Sequence, residues 1–409
     1  MYSTIPLYYS NSYDKKLRAF VLALSTYAGK PAVILDRTIF YPEGGGQVGD
    51  IGTLNDEAVI DTQKDDQGTI FHVLAAEPTF AVGDTVTLQL DWSHRYDYMQ
   101  QHTAQHLLSG TMHRLFGIGT VSVHFGHADM SIEIDAQELS DTNIVQLEDT
   151  VNAIIRQAIP VTSKIVGQEE AQALGLRRSI KVNGDVRIIA IKECDTIACG
   201  GIHVSNTSEL HYIQYLRSER IRGHLRTFWV AGSRAIATIR KNQTIVDTVG
   251  TLLSTPAENI IENVSTLQQQ LGEAQYLGRL HAVQVAKLLL EKELQQAQKV
   301  QNIPLVVVDA SSWSEPYIKN LPEALLELSP LALCVVSERE DEKLNWLICL
   351  KGIEHEGAIF QAIRKQALPL IKGKGGGKPP LWQGIGADKT SKVQFMKQVK
   401  VIFLEWING

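Results

Sequence analysis

His102 and His106 stand four residues apart, and so do Cys199 and His203. Three imidazoles and one thiol make a donor set suited to a zinc ion, because nitrogen and sulfur ligands together favour that metal. On a helix, side chains at i and i+4 share a face, so helical character over 100–115 aims both imidazoles at one ion. The second pair brackets Gly200 and Gly201, which let the backbone fold tightly and keep side chains out of the site. Thr103 stands where a His-Glu-x-x-His protease carries its general base, which disfavours a metalloprotease. Cys194 falls at an expected strand end and is not placed among the ligands. Four protein ligands suit a closed structural site, whereas catalysis prefers an open position. The residues alone decide neither.

The elements that must carry these residues form an α+β pattern. Residues 1–90 read as a β-rich N-terminal subdomain, with strands at 32–36, 69–73 and 85–91 and a first helix over 14–26. Residues 91–245 read as a zinc-binding α/β domain. Its helix over 92–116 holds the first pair and ends at Gly117; a hairpin follows at 121–125 and 130–135. A helix over 141–158 is capped by Asp141, and strands are expected at 161–167, 185–192 and 209–216, closing the domain near Lys241. Over 254–302, Ile260, Val264, Leu267, Leu271 and Ala274 step by fours and threes, and the phase slips near Gly278. This is a long helical linker or a helical hairpin, serving as a spacer, a homodimer seam, both, or a helix packed on its own domain. Residues 303–409 form a small α/β domain with strands at 305–309, 331–337 and 346–350, helices at 322–328 and 357–366, and a glycine-rich loop at 373–378.

Composition bounds the function. At 409 residues, 44% hydrophobic and 21% charged, the chain is a well-packed protein of two or three domains. No apolar run is long enough to span a membrane, and the N-terminus lacks the pattern of a secretory signal. The four cysteines, Cys194, Cys199, Cys334 and Cys349, form no disulfide framework, which agrees with a reducing cytoplasm. The net charge of −6 is uneven: residues 217–241 carry seven Lys/Arg against one acid, and residues 364–400 carry nine against one. Two basic runs in an acidic chain fit a phosphate-bearing partner touched at chosen places, although such runs also serve as solvated faces.

The combined pattern resembles a known family. His102 and His106 with Cys199-Gly-Gly-x-His203 look like the zinc motif of the alanyl-tRNA synthetase editing domain and its free-standing AlaX relatives. A related motif occurs in threonyl-tRNA synthetase. The run from Thr38 through Tyr41, Gly44, Gly45, Gly46 and Gln47 to Asp50 is similar to a second signature of the alanyl branch. The segment from Arg222 through Arg226 to Gly232 resembles the one that closes the editing domain, and Gly375 to Gly386 resembles the C-terminal domain shared with DHH-type phosphoesterases. With no room expected ahead of Met1 for an aminoacylation module, the resemblance is to the long-form AlaX proteins. Ile202 and Lys378 depart from the usual Thr and Arg.

The resemblance implies a trans-editing deacylase that hydrolyses the ester of seryl-alanine tRNA, or glycyl-alanine tRNA, with one zinc per chain on His102, His106, Cys199 and His203. Thr38 is expected to recognise the seryl hydroxyl, unless it is simply a strand threonine. Gly44, Gly45 and Gly46 would bring backbone amides near the terminal adenosine or the ester, with Gln47 adding its own amide; a sharp turn is the plainer reading. His124 would face the pocket and orient water, or be a packed or surface histidine. Arg222, Arg226, Lys374 and Lys378 are counted as tRNA contacts, joined by Lys372 on the C-terminal loop. An inactive tRNA-binding module with a structural zinc is the alternative, and a general esterase is disfavoured by the basic C-terminal run.

Overall fold

The computed structural model describes residues 3–177 and 184–408. The chain divides into two compact units, Met1–Thr248 and Val249–Gly409. As expected, the secondary structure is a mixture of helices and several sheets.

The first unit opens on a closed barrel, in the order Lys16–Tyr27, Lys30–Leu35, Ile70–Leu74, Glu57–Lys64, Gly52–Leu54 and Thr85–Leu90. The expected helix over 14–26 is instead the strand Lys16–Tyr27. Its leucines and alanines favour a helix locally, but Ala19, Val21 and Ala23 face the barrel interior while Phe20 and Leu24 face out. That period of two matches a strand paired on both sides, with Thr85–Leu90 and Lys30–Leu35. Barrel closure outweighs helix propensity here.

Trp92–Phe116 is the central helix. Asp91 caps its start by accepting the His94 amide at 3.1 Å, and Gly117 ends it at φ 69°. Every residue from Tyr98 to Met112 is buried, so this helix is surrounded rather than amphipathic. It packs against the helix Asp141–Arg156, against the strand Asp195–Ala198, and against a four-stranded sheet ordered Ile213–Ile221, His224–Ala231, Met130–Ile134, Thr120–Phe125. Asp195–Ala198 belongs to a small sheet with Val186–Ile191 and Val161–Val166. Two boundaries differ from expectation. Ser140, not Asp141, caps the helix Asp141–Arg156, and the strand expected at 209–216 begins only at Ile213. Thr207–Leu210 is a short 3-10 turn held by reciprocal bonds between Asn206 and Glu209. The helix Ser233–Leu253 continues beyond the closure expected near Lys241.

In the second unit, Ile260–Gln295 is one helix, uninterrupted at Gly278. Val264, Leu267 and Leu271 on its seam lie exposed on the single chain. The six-stranded sheet runs Gln298–Val300, Ile303–Asp309, Leu331–Glu338, Leu344–Lys351, Leu381–Gly386, Lys374–Lys378. The helices Glu356–Gln366 and Lys392–Asn408 contribute Ile359, Ile363, Phe395 and Phe403 to one core, while Ala286, Leu290 and Leu321 join another. The helix expected over 322–328 is a single turn, Leu321–Ala324, followed by a 3-10 turn. The glycine-rich segment is not a loop but the edge strand Lys374–Lys378. It is a strand of glycines because a Cβ on Gly375 would meet Trp346 at 2.7 Å and Gln383 O at 2.3 Å. Among the described residues, no helix is long and apolar enough to cross a membrane.

Candidate metal centre and its cavity

The two four-spaced pairs meet. One ligand atom from each of His102, His106, Cys199 and His203 lies within 4.8 Å of the others. Cys199 Sγ is 3.4 Å from His102 Nε2 and 3.5 Å from His203 Nε2. Sulfur and nitrogen bound at about 2.3 and 2.0 Å to one tetrahedral ion would stand ~3.5 Å apart. The donor set therefore fits a metal ion. Cys194 lies outside this group.

The far nitrogen of each imidazole has an oxygen close by. His102 Nδ1–H donates to Gln47 Oε1 at 2.8 Å, and the Ile202 amide donates to the same oxygen at 3.2 Å, which settles the orientation of the Gln47 amide. Thr103 donates its hydroxyl to Met99 O, so its oxygen accepts from His203 Nδ1–H at 3.1 Å. His106 Nδ1 stands 3.3 Å from Asp195 Oδ2, off the hydrogen-bond axis, and Asp195 is gripped by Arg177 at 2.6 and 3.0 Å. Such outer partners fix ring orientation and leave the inner nitrogen free for a metal.

Electrostatics agree with a cation site. Burial opposes charge on Cys199, yet His102 and His106 hold its thiol well below the usual range, toward the thiolate a metal requires. Burial also opposes charge on His106, but the Cys199 thiolate and the Asp195 carboxylate raise it to about 9. His203 is pushed down to about 3 by burial and by its positive neighbours.

The loop entering from the barrel is held by a buried pair. Asp50 accepts the Tyr41 amide and pairs with Arg95, which also donates to Ser12 O at 2.8 Å. Gly44 and Gln47 exchange backbone bonds at 3.0 Å, so Gly45 and Gly46 turn sharply, at φ 61° and 87°. The turn expected as the plainer reading is present, and it delivers Gln47 to His102. A cavity of about 920 Å³ opens beside the ligands, walled by Gly45, Val121, Val123, Arg187 and Ile197 together with His102, His106 and Cys199.

Other expected site residues lie elsewhere. Thr38 is fully buried, with its hydroxyl 2.7 Å from His72 Nε2 and accepting the Phe40 amide at 3.0 Å. His72 Nδ1–H donates to Val33 O at 3.1 Å, and burial pushes this imidazole down to about 4, so its neutral Nε2 accepts the Thr38 proton. His124 is exposed on Thr120–Phe125, on the face opposite Val121 and Val123, which wall the cavity. Arg222 sits exposed at a hairpin turn, and Arg226 pairs with Glu219 and Glu133 at 3.3 and 3.6 Å. Lys374 and Lys378 lie exposed on the edge strand of the second unit. Sequence reasoning missed Thr103, Asp195, Arg187 and Tyr9. Arg187 had left one signal, as the lone charge in the apolar strand Val186–Ile191.

Two substitutions separate roles here. Gln47→Leu is expected to weaken metal binding by ~10–100-fold, the usual effect of losing an outer partner. Full metal affinity with a raised KM would instead return Gln47 to substrate contact. Thr38→Val leaves the Phe40 amide without its acceptor and should lower stability by about 1–3 kcal/mol in thermal unfolding. A changed serine preference at an unchanged melting temperature would restore Thr38 to recognition.

Comparison with known proteins places this arrangement. A family model described as tRNA synthetases class II (A) matches residues 13–94. Another, described as the Threonyl and Alanyl tRNA synthetase second additional domain, matches residues 186–226 and includes Cys199 and His203. Both matched stretches lie within the first unit. An alanine–tRNA ligase of Methanococcus aeolicus is 29% identical over 93% of this chain and 41% of its own length. The chain spans about two fifths of the length of the alanine–tRNA ligases it matches. The alanyl-tRNA editing protein AlaX-L of Pyrococcus horikoshii is 29% identical over 92% of this chain and 93% of that protein. The alanyl-tRNA editing protein Aarsd1 of Bos taurus is 26% identical over 92% and 89%. Matches along nearly the whole of both chains are consistent with an AlaX-type protein, as the motifs led us to expect.

Proposed function

We propose that this chain is a trans-editing hydrolase that cleaves the ester of seryl-alanine tRNA, with glycyl-alanine tRNA as a second substrate. The observation that carries the reading is a four-donor centre opening onto a cavity, in a chain that matches editing proteins over most of its length. Zinc is the metal favoured by one thiolate and three imidazoles. His102, His106, Cys199 and His203 would hold it, and a bound zinc would supply positive charge to orient or polarise the ester. Gln47, Thr103 and Asp195 keep the imidazoles aimed inward, and the apolar walls at Val121, Val123 and Ile197 limit water around the ester.

In this reading, residues 1–90 supply the barrel and the Gly45 turn, residues 91–245 the centre, and residues 303–409 bind tRNA through Lys374 and Lys378. An inactive tRNA-binding module with a structural zinc would share the four ligands, but it has no use for a cavity that reaches three of them. Release of serine from seryl-alanine tRNA by the zinc-loaded chain tests the proposal. No release would favour the inactive module.

A further inference from the structure

The backbone beside Cys199 sorts its amides and carbonyls onto different partners. The Gly201 amide approaches Cys199 Sγ at 3.4 Å, the Ile202 amide donates to Gln47, and the Val204 amide donates to Thr103 at 3.2 Å. These amides serve the ligands and the groups that aim them. Three successive carbonyls are gathered by two other side chains. Arg187 Nη1 donates to Cys199 O at 3.0 Å and to Gly201 O at 2.6 Å, and Tyr9 donates its hydroxyl to Gly200 O at 2.8 Å. The Cys199 amide returns a bond to Arg187 O at 3.0 Å. The Arg187 guanidinium lies over the Tyr9 ring, 4.9 Å from its centroid.

We propose that Arg187, braced by Tyr9, is a positioning residue that holds the Cys199 loop in the conformation presenting its thiolate to the metal. Gly200 and Gly201 make the loop compact but leave it flexible, so its shape must be imposed from outside. A planar guanidinium suits that task, because its fixed donors set the distance between two carbonyls, which a lysine ammonium would not. The proposal rests on the metal reading of the centre and not on the identity of the ester.

The test uses the full chain, with Zn²⁺ affinity measured by competition against a chromophoric chelator and Co²⁺ substitution followed by its visible absorption. Arg187→Gln is expected to weaken Zn²⁺ binding by ~10–100-fold and to alter the cobalt–thiolate absorption. Arg187→Lys should recover part of the loss, and Tyr9→Phe, which keeps the ring, should show a smaller loss in the same direction. Wild-type zinc affinity in Arg187→Gln overturns the clamp, as does a raised KM at unchanged affinity, which would make Arg187 a substrate contact. Should Arg187→Gln fail to fold, Tyr9→Phe decides: unchanged zinc affinity there overturns the clamp. A wild-type chain that binds no zinc overturns the metal reading itself, a distinguishable failure.

Discussion

Cys199→Ala is expected to strip the metal from the chain and abolish ester hydrolysis. Of the four ligands, only Cys199 brings a negative charge, and its neighbours His102 and His106 favour that charge against the cost of burial. The three imidazoles left behind are neutral donors at best and would still face one another across a buried space. Losing a ligand should cost more than the ~10–100-fold expected for an outer partner. Metal content by atomic emission, beside circular dichroism to confirm the fold, measures the effect. Wild-type metal content in this variant would show that the ligand set is wrong.

Gly201→Ala should damage the centre almost as badly, although it removes no ligand. The backbone tolerates alanine here, so the difficulty is space alone. A Cβ would stand 2.0 Å from His102 Cε1, 2.4 Å from His102 Nδ1 and 3.0 Å from Gln47 Oε1. Either the imidazole leaves Gln47 and loses its aim, or the loop backs away and carries Cys199 with it. Overpacking of this kind costs about 1–3 kcal/mol in stability. The larger effect falls on metal affinity, because both escapes move a ligand. Chelator competition on the purified variant should show weakened zinc, while wild-type affinity would mean that the loop is softer than its contacts indicate.

The four clustered donors were legible because two short spacings announced them, and the helix that carries His102 and His106 had its Gly117 stop in the sequence. The groups that aim the imidazoles were not, since Gln47, Thr103 and Asp195 reach the centre from three separate stretches of chain. Thr103 shows the limit most clearly. Its side chain could be excluded as a general base, but nothing local revealed that it would hold His203. Thr38 and His124 were chosen from motif and pattern, and the side each takes depends on tertiary contacts. Thr38 meets His72 of the barrel strand Ile70–Leu74, and His124 lies on the face of its strand turned away from the cavity. The same limit governs Lys16–Tyr27, where pairing with the distant strand Thr85–Leu90 overrides what leucine and alanine favour locally, and Lys374–Lys378, whose glycines are taken into an edge strand by the neighbouring Leu381–Gly386.

The most direct test of the central claim is the rate of serine release from seryl-alanine tRNA by the zinc-loaded chain, beside alanine release from correctly charged alanyl-tRNA. Rapid loss of serine, sparing of alanine, and loss of the reaction in Cys199→Ala are the predicted result. Stable seryl-alanine tRNA in the presence of fully loaded protein would contradict it.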